Sequence, residues 1–220
     1  MWDESTLSML LQGIGETLYM VLTSTLFAYI IGLPVGILLF TSAKDGIRPH
    51  ASLYKVLDVI VNLTRSIPFL ILMIAIFPFT RLVTGSAIGA TATIVPLTLS
   101  AAPFIARLVE SSLKEIDIGV IEAAQSMGAS DFQIIWKVLL PESRPSLIVG
   151  CAIAATTILG YSAMAGVVGG GGLGTIAINY GLYRWQGEMM LIATILLVVI
   201  VQVLQGIGMK AAGLSDKRKN

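Results

Sequence analysis

Few residues in this 220-residue chain can do acid–base, nucleophilic or metal chemistry, and their spacing excludes most of it. His50 is the single histidine and sits among Lys44, Asp45 and Arg48. It reads as a solvated loop residue, because no second His or Cys lies near it to complete a metal site. Cys151 is the single cysteine and lies inside an apolar run, so no intrachain disulfide can form. It reads as a small apolar packing residue. The run Gly169-Gly170-Gly171-Gly172-Leu173-Gly174 satisfies G-x-G-x-x-G in form only. It follows an apolar run instead of a strand, and no acidic residue sits about 20 positions on, so it is no dinucleotide site. Thr175 follows Gly174 with no lysine between, so it is no Walker A loop either. The chain carries no nucleotide site and no catalytic constellation of its own. What remains is the polar stretch 122–141, EAAQSMGASDFQIIWKVLLP, set between two long apolar runs. A patterned polar insert there suits the docking of a soluble partner.

The elements around that stretch are set by composition. The chain is 55% hydrophobic and 12% charged, and its mean hydropathy is strongly positive. Soluble domains carry about 25% charged residues. A helical span needs about 20 mostly apolar residues. The apolar runs are continuous instead of alternating, which argues against a β-barrel. We read an all-α membrane protein with one transmembrane domain over 1–220 and five transmembrane helices. The spans are placed at about 17–41, 56–79, 88–108, 146–168 and 189–209, and the long polar loop at 110–145. The first span is no cleavable signal peptide, since acidic Asp3, Glu4 and Glu16 precede it instead of a basic region. Residues 5–15 are expected to form a separate interfacial helix.

Charge sorts by loop. Lys44, Arg48 and Lys55 lie in the first loop, Lys114, Lys137 and Arg144 in or beside the third, and Lys210, Lys217, Arg218 and Lys219 in the tail. Only Arg81 and Arg184 lie in the second and fourth loops. The positive-inside rule then puts the N-terminus outside and the C-terminus in the cytoplasm. The long loop is therefore cytoplasmic. Within it, Glu122, Ala123 and Ala124 suit a short helix, which Gly128 breaks. Ser130 or Asp131 caps the next helix, expected over Phe132–Leu140, and Pro141 ends it. Loops that only connect are a few residues long, so a loop of this length argues for docking.

Within the spans, Asp58, Asn62 and Arg65 fall on one face of the second, at i, i+4 and i+7. Two readings are open: a face turned to protein or a water-filled path, and interfacial snorkelling by Arg65. Pro68 interrupts the second span, and Pro34, Pro96 and Pro103 are expected to break the first and third likewise. Gly32-x-x-x-Gly36 and Gly166-x-x-x-Gly170 are spacings that let helices approach closely. The fourth span ends Tyr161-Ser162-Ala163-Met164, small residues with one flexible Met, which suits a pathway or gate and equally suits packing. A proton-coupled carrier is disfavoured, because no acidic residue lies near the middle of any span. The net charge of +1 gives no argument about nucleic acid, and we expect no nucleic-acid partner.

The stretch from Glu122-Ala123-Ala124 through Gly128 to Leu140-Pro141 resembles the EAA loop of bacterial ABC importer permeases, with Val138 where that family has Ile. The whole chain resembles the permease subunits of methionine-uptake ABC transporters. The residues that carry this are Arg65-Ser66-Ile67-Pro68-Phe69, Ile94–Thr98, Ala101–Arg107, Gly160–Met164 and the Gly170–Gly174 run. The resemblance implies a permease for methionine, for both enantiomers or close analogues, working by alternating access. Another amino acid or a small osmolyte is the alternative substrate, and a membrane scaffold recruiting a soluble partner the alternative class. It further implies no cofactor on this chain, with ATP and Mg on a partner ATPase. The implied partners are a second copy of the chain, two cytoplasmic ATPase subunits, an extracytoplasmic substrate-binding lipoprotein and membrane lipid. The location implied is the bacterial inner membrane. Glu122, Ala123, Ala124, Gly128, Leu140 and Pro141 would dock the ATPase, and Tyr161, Ser162 and Met164 would form the gate.

Overall fold

A computed structural model describes residues 4–215. Asp3 and the basic residues Lys217, Arg218 and Lys219 lie outside the described residues. The chain runs α1 (Glu4–Ser42), α2 (Ala51–Ser66), α3 (Phe69–Ala75), α4 (Phe77–Thr84), α5 (Ala90–Lys114), α6 (Ile118–Ser126), α7 (Asp131–Ile134), α8 (Leu140–Glu142), α9 (Arg144–Ala165), α10 (Gly172–Ile176) and α11 (Gly187–Ser215). A π-helical turn, Ile135–Leu139, joins α7 to α8, and a second, Ala177–Tyr183, follows α10. Among the described residues, four helices, α1, α5, α9 and α11, are long and apolar enough to cross a membrane, and α2 with α3 makes a fifth if that bent pair is one span.

α1 and α5 form the centre. The buried face of α1 runs Met20, Val21, Ser24, Ala28, Gly32, Gly36 and Leu39, at helical spacing. Gly32 and Gly36 bring it to backbone contact with α5: a methyl on Gly36 would fall 2.6 Å from the Ala106 carbonyl oxygen and 2.6 Å from Val109. The opposite face exposes Leu22, Leu26, Ile30 and Leu38, an apolar surface suited to hydrocarbon. α5 buries residues along most of its length, from Ala92 to Leu113, whereas α11 buries only Ala193, Ile200 and Ala212.

Several expectations are corrected. The first helix begins at Glu4 and not near 17, so residues 5–15 continue α1 instead of forming a separate helix. The reason is packing: Gly13 lies under Ile176 and Leu173, and Glu16 and Thr17 bond the chain at Gly172 and Leu173. Pro34, Pro96 and Pro103 lie inside unbroken helices. Only Pro68 marks a break. There Ile67 is extended, the residue before a proline being pushed out of the helical region, and the axis turns by 99° between α2 and α3. The long loop starts after Lys114, because residues 110–114 close α5. The helix expected over Phe132–Leu140 starts at Asp131 and opens into the π turn, and Pro141 lies inside α8 instead of ending it. A proline ring clashes with the carbonyl four residues back, here that of Lys137, and the widened turn lies at that carbonyl.

The glycine run turns the chain back after α9. Gly169, Gly171 and Gly172 have φ of 77°, 88° and 69°, which only glycine adopts without strain. The turn is braced and not loose. The Glu16 carboxylate accepts from the Gly172 N–H at 2.7 Å, Thr17 Oγ1 accepts from the Leu173 N–H at 2.9 Å, and Thr93 Oγ1 donates to the Gly170 carbonyl at 3.0 Å. Gly166 lies against Gly174, whereas Gly170 has left the helix, so the Gly166-x-x-x-Gly170 spacing does not form the helix-packing face expected of it.

Overpacking the α1–α5 contact should destabilise the subunit. Gly36→Ala is expected to cost about 1–3 kcal/mol. Gly206→Ala on α11, where a methyl meets nothing within 4 Å, should be neutral or stabilising. Thermal unfolding in detergent checks both: a lower midpoint for the first variant and an equal or higher one for the second.

Candidate functional site

The polar stretch folds into a compact unit whose buried side is small. Asp117 caps α6, its carboxylate accepting from the Gly119 N–H at 2.7 Å. Ile121 and Ala124 face inward, while Glu122, Ala123, Gln125, Ser126 and Met127 are exposed. Gly128, at φ 77°, reverses the chain, and the Ala129 N–H closes the turn on the Ala124 carbonyl at 3.1 Å. Ser130 then forms a capping box with Gln133: the Ser130 N–H donates to Gln133 Oε1 at 2.9 Å, and the Gln133 N–H donates to Ser130 Oγ at 3.4 Å. Ile134 and Leu139 anchor the second half, Leu140 is half-buried and Pro141 is exposed. Of the sequence-derived docking residues, Glu122, Ala123, Gly128 and Pro141 are therefore presented, and Ala124 is structural.

The structure adds three residues to that face. Met127 is 81% exposed, Phe132 69% and Trp136 58%, and the two rings meet at 6.0 Å. Apolar side chains of this size left open beside Glu122 make this face a candidate interaction surface. Their signal in the sequence is that Met127, Phe132 and Trp136 lie off the Ile134 and Leu139 positions that the segment buries. Beside α6 lies a cleft of about 550 Å³, bounded by Lys44, Tyr54, Lys114, Ile121, Glu122 and Gln125. Glu122 thus stands at a rim that also carries two lysines.

Two residues of the polar face of α2 reach across to α5, while Asn62 and Arg65 remain exposed. Asp58 and Asn62 both accept from Arg107 on α5, the latter at 3.0 Å. Arg65 lies outside that group, its guanidinium 6.0 Å from the Phe104 ring centroid. Arg107 also donates to Glu110 at 2.6 Å, and Glu110 accepts from Lys114 at 2.7 Å. Sequence reasoning placed no role on Arg107 or Glu110, although their i, i+3 and i, i+4 spacing with Lys114 is a helical charge ladder.

The three residues near the end of α9 part company. The Tyr161 ring stacks on Phe69 of α3 at 4.9 Å and 6°. Ser162 is buried and donates to the Leu159 carbonyl at 2.8 Å, so it supports its own helix. Met164 is half exposed, beside Val167. His50 caps α2 through Nδ1, which accepts from the Leu53 N–H at 3.2 Å. Among the described residues, no group of three or more His, Cys, Asp or Glu side chains is placed to hold a metal ion.

Residues 32–208 match the family of binding-protein-dependent transport system inner membrane components. The chain is 47% identical over 207 residues to a probable D-methionine transport system permease protein MetI of Vibrio cholerae, covering 94% of this chain and 92% of that one. It is 51% identical to the corresponding Pasteurella multocida protein, covering 92% and 94%. Its fold superposes on a chain of the MetNI methionine ABC transporter in an inward-facing conformation, with a TM-score of 0.96, 45% identity and coverage of 98% and 100%. A more distant amino-acid ABC transporter chain, 18% identical, shares the fold at a TM-score of 0.75.

The capping box should hold the second half of the presented unit in place. Ser130→Ala removes one of its two bonds and is expected to cost about 0.5–2 kcal/mol of local stability. Hydrogen exchange at the Gln133 and Ile134 amides should quicken accordingly, with the amides of α5 unchanged.

Proposed function

Because the chain belongs to the family of binding-protein-dependent transport system inner membrane components, we propose that it is the membrane-spanning permease subunit of an ATP-driven methionine importer. The observation that carries the substrate is the near-full-length identity to two D-methionine permeases, joined to the 0.96 superposition on the methionine transporter chain. Both enantiomers of methionine, or close analogues, are the proposed substrates. Two copies of the chain share one path around a two-fold axis, five spans being few to enclose an amino-acid-sized path alone. Two cytoplasmic ATPase subunits hold ATP and Mg, a substrate-binding lipoprotein delivers methionine at the outer side, and lipid surrounds the spans. The subunit lies in the bacterial inner membrane with its N-terminus outside and its C-terminus inside. This orientation rests on the distribution of Lys44, Arg48, Lys55, Lys137 and Arg144. This chain performs no hydrolysis.

The exposed face of α6 and α7 supports the docking role. Glu122 pairs with a basic group of the ATPase, Ala123 lets the partner approach, and Met127, Phe132 and Trp136 supply apolar anchors. ATP binding draws the two docking units together, and the movement passes to the outer end of α9. There Met164 of each copy meets its counterpart in the closed state, an apolar constriction that excludes water and yields because methionine is flexible. Tyr161, stacked on Phe69, ties that end to the bent second span, and Ser162 holds the helix turn beneath it.

In vesicles that contain the permease, the ATPase and the binding protein, labelled methionine should accumulate only with ATP. Glu122→Lys should lower uptake more than tenfold while the protein still inserts. That loss amounts to about 1.4 kcal/mol or more, because the lysine sets a like charge against the basic group of the partner. Uptake at the normal rate would remove Glu122 from the docking role. Met164→Trp should block uptake and Met164→Ala should leak, both with hydrolysis largely kept. Normal transport by both variants would place the gate elsewhere.

A further inference from the structure

Resting on the reading as a coupled permease, we propose that Arg107 is a positioning residue that transmits movement from the docking unit to the bent second span. Its guanidinium stands where two helices are otherwise thinly joined. α2 buries only Val61, which with Leu39 and Ala106 forms a small separate cluster of buried side chains. The polar bonds of Arg107 to Asp58 and Asn62 are therefore a principal fastening of α2 to α5.

The network has a fixed half and an interhelical half. Along α5, Glu110 is almost wholly buried and takes Arg107 on one oxygen and Lys114 on the other. A buried carboxylate needs such partners, so this half is held firmly. Across the helices, Asp58 and Asn62, one turn apart on α2, take the remaining side of the same guanidinium. Asp58 is about a third exposed, at 32%. The planar fork of arginine fits this double duty where a lysine would not.

The position of the network in the chain gives it a task. Lys114 ends α5, and Asp117 already caps α6, so only two residues separate the network from the capped start of the docking unit. At the far end of α2 comes the 99° bend, then Phe69, whose ring stacks on Tyr161 close to Met164. A displacement of α6 thus moves α5, α5 carries α2 through Arg107, and α2 carries the ring stack. With the interhelical half removed, α5 can move while α2 stays behind.

Asp58→Leu tests this while leaving Glu110 paired. In vesicles with the ATPase and binding protein, methionine taken up per ATP hydrolysed should fall about fivefold, a size usual for coupling networks. The complex should still assemble, as read by gel filtration, and Asp58→Glu should restore most of the ratio. Asn62→Leu should give a smaller fall. An unchanged ratio in Asp58→Leu overturns the proposal. Loss of assembly in both Asp58→Leu and Asn62→Leu overturns it too, since the network would then be only structural. If the unsubstituted complex itself shows no ATP-dependent uptake, the functional reading fails, which is a separate result.

Discussion

The backbone contact between α1 and α5 is the constraint on which the other elements depend. Between apolar helices in hydrocarbon there is no hydrophobic driving force, because lipid tails are as apolar as leucine. Association must come from close packing and from polar ties. Gly32 and Gly36 supply the first by letting α1 meet the Ala102 and Ala106 carbonyls with no side chain between. α5, fixed in this way, becomes the post against which α2 and α9 are set. It also ends at the segment proposed to dock the ATPase, so under that reading a force applied there enters the most buried helix first.

Polar ties are placed where packing is thin or the backbone is irregular. α2 is held by Arg107, and the glycine turn is held by Glu16, Thr17, Thr93 and Thr175. Irregular backbone at membrane depth is stable only where its polar groups find partners inside the protein. The same rule separates the prolines. Pro34, Pro96 and Pro103 are absorbed by straight helices, whereas Pro68 turns the chain and leads into α3, where Phe69 and Met73 are buried.

Much of this was legible in the sequence. Continuous apolar runs set the long helices, Gly128 with Ser130 set the turn between α6 and α7, and the Gly32 and Gly36 spacing marked the close contact. The rest depended on tertiary information. Nothing local tells that α1 extends back to Glu4, because its first turns are held by a glycine turn more than 150 residues away. The i, i+4, i+7 pattern placed Asp58, Asn62 and Arg65 on one face but could not name Arg107 as partner to two of them and Phe104 as partner to the third. The separate fates of Tyr161, Ser162 and Met164 follow from which side of α9 faces α3, which spacing alone leaves open.

The central claim is that two copies share a path whose outer gate responds to ATP held by their partners. Val167 is exposed within one turn of Met164 and can carry a probe without filling the constriction. With Cys151→Ala removing the native thiol, spin labels on Val167→Cys in both copies report the distance across the two-fold axis. In the complex with the ATPase and binding protein, the account predicts one short distance without nucleotide and a longer one when ATP binds. A distance that does not change with nucleotide, or the absence of any interaction between labels, would contradict it.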